Sequence, residues 1–480
     1  MAAPIETPMA SPVSEVQVND GALTWKDATG TAGTTGPLKL DELILVLKSE
    51  EGHIICGLKE QTDSKESPYQ FVLLSTNHVP DCLQSFELPE LPSYLRHDES
   101  NEVDVIVSTN SGLKMSLPFW QSVLQPLWAT VTTAVSQAEP KSSASEIPYS
   151  VLVTESAQDV PRFAKSLWND KGKAVKSRTI VLLSGDGGVV DLLNGSEDYA
   201  SDPSSVVLAV LPFGTGNALL HSLQKPLYRD PGPSPLVLSL RSLFKGASAP
   251  LPVFRADFSS GSSIVTFTDK SKTQSASDSD SDSPDLKKEE TSVSHLYGAI
   301  VASYAFHASL IFESDTPEYR VHGDKRFGMV AQDLLRESHL YKARVDVTRP
   351  GAPRPVTLPE DEHAYVLVTF VSNLERTFTI SPASRPLDGR LHLNHLGPLN
   401  GDQVMAVMMA AYADGKHVDR EEVRYEEIEQ LRVEMQEEDD RWRKVCIDGT
   451  SVEIPRGGHM AVSKVQASPF RILVDSSLVK

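Results

Sequence analysis

Cysteine is scarce in this 480-residue chain. Cys56, Cys82 and Cys446 are its three cysteines, and none of them forms a CxxC pair or another metal-ligand spacing. Such usage is typical of a reducing compartment and argues against a disulfide scaffold. We therefore expect the fold to rest on buried apolar cores, for which a hydrophobic content of 40% is sufficient.

Basic side chains are outnumbered, with 45 Lys and Arg residues against 65 Asp and Glu residues and a formal net charge of −20. Nucleic acid and anionic membranes are themselves negative, so they would repel the chain as a whole. The charge therefore predicts no nucleic-acid partner. Any contact with anionic lipid must use a local basic patch or buried apolar groups.

Long hydrophobic runs are also missing. The run from Val404 to Ala413 is among the longest, and it is far shorter than the ~20 residues that a membrane-spanning helix needs. The first residues, MAAPIETPMASP, have neither a basic region nor an apolar segment of the signal-peptide kind. We expect a cytoplasmic protein without a transmembrane segment.

The usual signatures of nucleotide and hydrolase sites do not occur. The sequence has no GxxxxGK[ST] loop, no GxGxxG after a strand, and no HRD or DFG motif. HExxH and GxSxG are missing as well. If the protein transfers phosphate, it must do so on a fold without a P-loop.

The length predicts two or three domains. Residues 1–36 are rich in Ala, Thr, Ser, Pro and Gly, which predicts a disordered tail, and residues 37–100 hold short β-like runs that predict a small β region. Residues 101–250 alternate apolar strands with helical stretches, which indicates an α/β domain with a mostly parallel sheet. Residues 251–480 are predicted to form a β-rich domain, interrupted by a disordered acidic serine loop at 270–291.

Two glycine turns follow successive strands of the predicted parallel sheet. The strand TIVLL runs into SGDGG at residues 184–188, and the strand SSVVLAVL runs into PFGTGN at residues 212–217. Glycines allow backbone N–H groups to converge on a phosphate, and a following helix adds its positive dipole end. Because ligands bind beyond the carboxyl ends of parallel strands, the two turns should lie side by side.

Asp186 is the unusual residue of the first turn. A carboxylate repels phosphate unless it holds a metal or takes a proton from an attacking hydroxyl. A tight turn with an Asp cap is the structural alternative, and the first turn alone does not decide between the two. In the second turn, Thr215 or Asn217 could cap the next helix and hydrogen-bond ligand oxygens.

The order of these motifs resembles the catalytic domain shared by diacylglycerol, sphingosine and ceramide kinases. The resemblance rests on residues 184–188, on Asn194-Gly195 and on LPFGTGNALLHSL, and it extends over roughly residues 100 to 475. Ser111-Gly112 resembles the first turn of that family, and Thr154 its nucleotide-contacting threonine. ESDTPEYRVHGDKRFGM resembles a sphingosine kinase stretch, and Asp448-Gly449 the Asp-Gly-Glu turn near the end.

This resemblance implies a six-phosphofructokinase-like α/β domain followed by a β-sandwich, and a lipid kinase that uses ATP and Mg²⁺ at a membrane surface. Asp186 would be the general base for a primary hydroxyl of the lipid. Arg320 and Arg326 would clamp phosphates, although salt bridges with Glu318 or Asp324 are the structural alternative. The nucleotide site would also include a larger set of residues, namely Ser111, Gly112, Thr154, Ser184, Gly185, Gly187, Gly188, Gly214, Thr215, Gly216, Asn217, Asp448 and Gly449.

Three positions depart from the family pattern. Ser108-Thr109 replaces the Asn-Pro of the first turn, and Thr450 replaces the Glu of the Asp-Gly-Glu turn, a role that Glu453 could assume. Ile311 occupies the place where sphingosine kinases carry a lipid-contacting aspartate. An ammonium headgroup would prefer a carboxylate there, so Ile311 favours a neutral headgroup.

The overall layout nevertheless favours a long-chain sphingoid base as substrate, with diacylglycerol or ceramide as alternatives. His307 and Glu313 are further candidates for lipid contacts, and either could be structural. An NAD kinase-like enzyme on the same fold and a catalytically impaired regulatory relative also remain open.

Overall fold

The computed structural model describes residues 8–27, 37–61, 68–138, 149–169, 177–195, 206–269 and 286–479. These residues form a mixed α/β protein with four β-sheets. Most of the predicted acidic loop, residues 270–285, lies outside the described residues. No helix within the described ranges combines the length and the apolar character that crossing a membrane requires.

The first sheet is built by the N-terminal part of the chain. Its strands are β1 (Ser11–Asn19), β2 (Ala22–Asp27), β3 (Leu38–Lys39), β4 (Leu43–Ser49), β5 (Gly52–Glu60) and β6 (Tyr69–Thr76), and their order is β3-β2-β1-β6-β5-β4. The predicted disordered tail is wrong for residues 11–27. Val13, Val16 and Val18 pack against a buried apolar cluster of this sheet, and that contact fixes the first strand.

The second sheet begins with β7 (Asn101–Val107), β8 (Ser150–Val153), β9 (Ser177–Ser184), β10 (Val206–Pro212) and β11 (Ala247–Pro250). Strands β7 to β10 pair in parallel in the order β10-β9-β7-β8, with Leu208 opposite Ile180. Helices alternate with these strands, as the sequence predicts. They are α1 (Ser116–Phe119), α2 (Gln125–Ala138), α3 (Asp159–Asn169), α4 (Asp186–Leu193), α5 (Ala218–Gln224) and α6 (Pro235–Lys245), with a π-helical segment between α1 and α2.

The remaining strands form two antiparallel sheets and one return to the parallel sheet. They are β12 (Phe254–Phe258), β13 (Ser263–Asp269), β14 (Leu286–Ser292), β15 (His295–Gly298), β16 (Val301–Ala305), β17 (Tyr341–Thr348), β18 (Val356–Thr357), β19 (Glu362–His363), β20 (Tyr365–Thr369), β21 (Leu391–Leu396), β22 (Val423–Ile428), β23 (Gln430–Met435), β24 (Lys444–Ile447), β25 (Thr450–Glu453), β26 (His459–Lys464) and β27 (Arg471–Val474). One sheet has the order β15-β12-β26-β23-β17-β18 with β19 on β17, and the other has the order β14-β13-β25-β24-β16-β20-β21-β22.

In the described part of this region, four α-helices lie among the strands, namely α7 (Phe306–Ser314), α8 (Pro317–Arg320), α9 (Arg326–Glu337) and α10 (Gly401–Tyr412). Helix α9 confirms the helix-like pattern of KRFGMVAQDLLRESH. A capping box stabilises the start of α10, because the Asn400 side chain accepts from the Gln403 N–H at 3.0 Å while Gln403 Oε1 accepts from the Asn400 N–H.

Two sequence boundaries differ in the structure. The predicted disordered loop is wrong for residues 286–291, because β14 pairs with β13 over seven residue pairs. The last strand of the chain does not join the C-terminal β-rich part. Strand β27 belongs to the second sheet, where it pairs in parallel with β10 and antiparallel with β11. Strand pairing between residues more than 200 positions apart gives no local sequence signal. The predicted domain boundary at residue 250 therefore assigned β27 to the wrong part of the protein.

The cores connect the sheets. One apolar cluster contains Leu182 and Leu208 of the parallel sheet together with Val301, Val366 and Val433 of the antiparallel sheets. A second cluster joins the parallel sheet to the N-terminal sheet through α2 and α6. The carboxyl ends of the parallel strands therefore face residues from the second half of the chain.

Candidate active site

The two predicted glycine turns touch. Strands β9 and β10 are neighbours, with Ser184 opposite Pro212. A Cβ built on Gly214 would lie 2.4 Å from the Cα of Gly185, and one built on Gly185 would lie 2.6 Å from the Cα of Gly214. Real Cβ atoms do not approach so closely, so neither position tolerates a side chain without displacement of the turn. The side-by-side arrangement predicted from the sequence is confirmed.

Asp186 joins the two turns. It is the first residue of α4, and its carboxylate accepts hydrogen bonds from the backbone N–H groups of Ala218 at 2.7 Å and Leu219 at 3.2 Å. It thus caps α5 from outside that helix. The glycine turn of the sequence offered Thr215 or Asn217 as candidate caps. Asn217 instead adopts a left-handed conformation, and its Oδ1 accepts from the Gly214 N–H at 2.9 Å.

The turn after β7 reaches the same place. Ser111 Oγ lies 3.1 Å from Ser184 Oγ, and a Cβ on Gly112 would lie 2.5 Å from the Phe213 carbonyl oxygen. Thr109, which stands where the family has proline, donates through Oγ1 to the Thr154 carbonyl at 2.7 Å. The altered first turn is therefore anchored on the turn after β8. Turns from four parallel strands meet at one edge of the sheet.

Asp448 brings the second half of the chain to this edge. Its carboxylate accepts from the backbone N–H groups of Ala299 (2.6 Å), Ile300 (3.0 Å) and Val301 (2.6 Å). Burial raises its pKa to about 7, the three N–H groups oppose that shift, and the charge of Asp186 adds to it. Burial likewise raises the pKa of Asp186 to about 6, against the two N–H groups that it accepts from. The buried carboxylate of Asp448 and the half-buried one of Asp186 therefore interact electrostatically.

These parts enclose a cleft of about 1040 Å³. Most of the predicted site residues line it, namely Ser111, Gly112, Thr154, Ser184, Gly185, Asp186, Gly187, Gly188, Gly214, Thr215, Gly216, Asn217, His307, Ile311, Asp448 and Gly449. Residues far apart in the sequence thus form one site.

Comparison with known proteins identifies the domain that carries these turns. Residues 129–253 match the diacylglycerol kinase catalytic domain family. This segment holds both glycine turns, and the match supports a lipid kinase. A search of curated proteins finds no sequence match.

Solved structures resemble the kinase at low identity. A diacylglycerol kinase from Bacillus anthracis str. Sterne shares 13% identity with a TM-score of 0.46. The alignment covers 80% of this chain and 100% of that kinase. Two structures of candidate diacylglycerol kinases from the same organism share 15% and 14% identity, each with a TM-score of 0.49 and the same coverage of both chains.

Three predicted residues do not line the cleft of the kinase. Arg320 forms a two-pronged ion pair with Asp315, with N–O distances of 3.0 and 2.6 Å, and also donates to the Phe267 carbonyl at 2.8 Å. The alternative prediction, a salt bridge of this arginine with Glu318 or Asp324, is therefore right about the ion pair but wrong about the partner, which is Asp315. A phosphate clamp by Arg320 would require this ion pair to be exchanged.

Glu313 and Arg326 have other surroundings as well. Glu313 Oε1 accepts from Arg441 Nε at 2.8 Å, which indicates a structural ion pair. The guanidinium of Arg326 lies over the ring of Phe327, 4.9 Å from its centroid. Phe327 lines the cleft, and Arg326 Nε is buried without a hydrogen-bond partner among the described residues. Arg326 is thus one residue from the cleft, and its Nε donor has no partner among the described side chains.

Thr450 lines the cleft, but Glu453 does not assume the role of the missing acid. Glu453 Oε2 lies 3.1 Å from the ammonium groups of both Lys288 and Lys444. These two charges hold the pKa of Glu453 below its ordinary value, although burial opposes the shift. Glu453 therefore belongs to a structural ion-pair cluster of the antiparallel sheet.

One side of the cleft is an apolar wall that was not predicted from the sequence. It consists of Leu310 and Ile311 on α7, Phe327, Ala331 and Leu335 on α9, and Met405, Met408, Met409 and Tyr412 on α10. Met405 is 40% exposed, Met409 58% and Tyr412 46%. The signal was present in GDQVMAVMMAAY, which has apolar residues around the whole helix. An apolar helix face that is not buried in the core often serves a ligand or a partner.

Two acids and one histidine complete the lining. Asp191 on α4 and Glu375 were not predicted, and burial raises the pKa of Asp191 to about 6. His307, a predicted candidate for lipid contact, lines the cleft, and its Nδ1 is 2.7 Å from Ser303 Oγ. Burial lowers the pKa of His307 to about 4, so it is neutral at physiological pH. It can exchange hydrogen bonds with a hydroxyl, but it cannot supply a positive charge.

Proposed function

We propose that this lipid kinase uses ATP and Mg²⁺ to phosphorylate the primary hydroxyl of a long-chain sphingoid base. The observation that carries the proposal is the half-buried Asp186 carboxylate, which lies where two touching glycine turns meet an apolar-walled cleft. Diacylglycerol and ceramide are the alternative substrates. In this proposal the parallel sheet belongs to a six-phosphofructokinase-like domain, and the two antiparallel sheets form a β-sandwich.

Asp186 would act as the general base. A base must be ionised to accept a proton, and a pKa of about 6 leaves Asp186 largely deprotonated at neutral pH while keeping it more basic than an ordinary aspartate. The N–H groups of Ala218 and Leu219 fix the orientation of its carboxylate. In phosphoryl transfer most of the rate enhancement comes from positioning and charge stabilisation, so this fixed orientation supports the role.

The nucleotide would lie against the glycine turns. The space where Cβ atoms on Gly187 and Gly449 would stand is empty to 4 Å, so a ligand can approach the backbone closely there. Arg326 lies outside the cleft lining, but its Nε has no partner in the described chain, so a rotated side chain could donate to a phosphate. Asp191 could accept a hydrogen bond from a nucleotide hydroxyl or amine.

Magnesium fits the acids that are present. No group of three or more metal-ligating side chains exists among the described residues. Mg²⁺ in kinases commonly takes only one or two carboxylates and completes its shell with water and substrate phosphates. Asp448 would supply such a carboxylate, because its charge already interacts with that of Asp186, which keeps its role as the base. Bound Mg²⁺ would neutralise phosphate charge.

The lipid would lie against the apolar wall. Its side chains on α7, α9 and α10 offer a hydrocarbon-like surface next to Asp186, which suits an aliphatic chain better than a second nucleotide. This wall favours a lipid kinase over an NAD kinase-like enzyme. The exposed Met405, Met409 and Tyr412 continue the wall to the protein surface. We propose that the kinase contacts membranes peripherally there while it remains in the cytoplasm.

A kinase assay decides between the substrates. Purified protein is incubated with labelled ATP, Mg²⁺ and mixed micelles that carry sphingosine, phytosphingosine, ceramide or diacylglycerol, and the products are separated by thin-layer chromatography. Label in the sphingoid bases is the expected result. Label only in ceramide or diacylglycerol would move the proposal to the alternative substrate. ATP binding without label in any lipid would indicate a catalytically impaired relative, the alternative suggested by Thr450 in place of the family's glutamate.

A further inference from the structure

The lining of the cleft carries negative charge without compensating side-chain cations. Within the described residues that form it, Asp186, Asp191, Glu375 and Asp448 are carboxylates, and no Lys or Arg is present. His307 is neutral at physiological pH. Such a lining attracts cationic ligands. Glu375 is the acid to which neither the proton transfer nor the nucleotide site assigns a role.

Glu375 is held by a loop that is anchored on α5. The backbone N–H of Asn373 donates to Ser222 Oγ at 3.0 Å. Within the loop, the Leu374 N–H donates to the Phe378 carbonyl at 3.1 Å, and the Phe378 N–H donates to the Glu375 carbonyl at 3.2 Å. These bonds fix the backbone of Glu375 relative to helix α5.

The same loop reaches the end of α5 that Asp186 caps. Ser222 is one turn from Ala218, and four residues span about 6 Å along a helix. The Leu374 carbonyl oxygen lies 3.4 Å from the position of a Cβ on Gly216, just before the start of α5. The loop therefore runs back from Ser222 toward the helix N-terminus. Glu375 follows directly and is close to the Asp186 side of the cleft.

The Glu375 side chain faces the lipid side of this region and is free. Its negative charge contributes to the raised pKa of Tyr412, after the larger effect of burial, and Tyr412 belongs to the apolar wall. Glu375 is exposed, and its carboxylate has no ion-pair or hydrogen-bond partner in the part of the chain that the structure describes. Glu313, in contrast, is already paired with Arg441.

We propose that Glu375 is a specificity-determining residue that binds the protonated amine of the lipid headgroup. An alkyl amine is a cation at neutral pH, as the lysine side chain is. The amine of a sphingoid base is attached to the carbon next to the one that bears the primary hydroxyl. A hydroxyl at Asp186 therefore brings the amine to the adjacent part of the cleft. Glu375 would replace the carboxylate that Ile311 does not provide.

This inference rests on the proposed function, and one comparison tests it separately. Sphinganine and N-acetylsphinganine share the hydroxyl and the long chain, but acetylation removes the positive charge. We expect Glu375→Gln to lower kcat/KM for sphinganine about tenfold, as the loss of a charge-assisted hydrogen bond does, while kcat/KM for N-acetylsphinganine and KM for ATP stay within about twofold. Glu375→Asp should retain part of the preference.

The matched control is Glu421→Gln, because Glu421 is exposed and lies outside the cleft lining. This variant should leave kcat/KM unchanged for both sphinganine and N-acetylsphinganine. An unchanged ratio between the two lipids in Glu375→Gln would overturn the role of Glu375 and leave the kinase proposal intact. An equal loss of kcat/KM for both lipids would also overturn this role, since a residue that binds the charged amine must distinguish the charged lipid from the acetylated one. If the wild-type protein labels no lipid, the proposed function itself fails.

Discussion

The Asp186 carboxylate accepts a hydrogen bond from the Ala218 N–H at 2.7 Å, so an acid in the first glycine turn caps the helix that follows the second. This bond connects two strand ends and orients the carboxylate toward the cleft. The two interpretations that the sequence left open, an Asp cap and a catalytic acid, are therefore compatible. Each carboxylate oxygen accepts one backbone N–H and keeps a further lone pair that can face a substrate.

Replacement of Asp186 by asparagine should separate these two roles. Asn can still accept from the Ala218 N–H through its one oxygen, although it loses the weaker bond from Leu219, and it cannot take a proton. We expect Asp186→Asn to fold normally and to lose about 10²–10⁴-fold in kcat, the usual contribution of a general base. Asp186→Ala should in addition lose about 1 kcal/mol of folding stability with the cap. Full activity of the folded Asn variant would exclude Asp186 as the base.

The pH dependence of activity should report the ionisation of Asp186. Its pKa is raised to about 6, and the base must be deprotonated, so kcat should fall as the pH drops below about 6. ATP phosphates titrate nearby, and the residual activity of Asp186→Asn controls for them because it shares that titration. If kcat falls in the same way at low pH in both proteins, the fall is due to titration of the nucleotide and not of Asp186.

Asp448 should make the folded protein less stable as the pH rises. Its folded pKa of about 7 lies above its ordinary value of 3.8, so the folded state binds more protons between these values. Its contribution to stability is therefore complete at low pH and is lost as the pH rises toward 7. We expect the melting temperature of Asp448→Asn to fall less across this range than that of the wild type. Parallel curves would contradict the assignment.

The contact between Gly185 and Gly214 predicts a stability difference between two alanine variants. Gly214→Ala would place a Cβ 2.4 Å from the Gly185 Cα, and overpacking of this kind costs about 1–3 kcal/mol. Gly187→Ala meets no atom within 4 Å and should fold normally. Because that methyl group would project into the nucleotide cleft, KM for ATP should rise. Urea unfolding and ATP titration measure the two effects.

The exposed methionines of α10 should matter for lipid and not for ATP. Met405→Gln with Met409→Gln removes apolar surface from the entrance of the cleft. We expect KM for a long-chain lipid to rise several-fold, because about 0.8 kcal/mol is lost for each CH₂ group that is no longer buried. KM for ATP and for a short-chain analogue should change little. An equal rise for short and long chains would argue against contact with the hydrocarbon tail.

The sequence determined the local parts of this protein. Apolar runs followed by SGDGG and PFGTGN specify strand, turn and helix, because glycine and strand periodicity act over a few residues. The absence of P-loop and metal-ligand motifs likewise depends on local spacing. These features were sufficient to predict the parallel sheet, the paired turns and Asp186 as the central acid.

Only the tertiary structure decided which distant residues share the cleft. Ion pairs commit Arg320 to Asp315 and Glu313 to Arg441, and no spacing rule gives these partners. Strand β27 returns to the parallel sheet by long-range pairing. Glu375 and Asp191 enter the lining because loops and helices from both halves converge there. Side-chain partnership depends on packing between remote segments, whereas the turns depend on their own few residues.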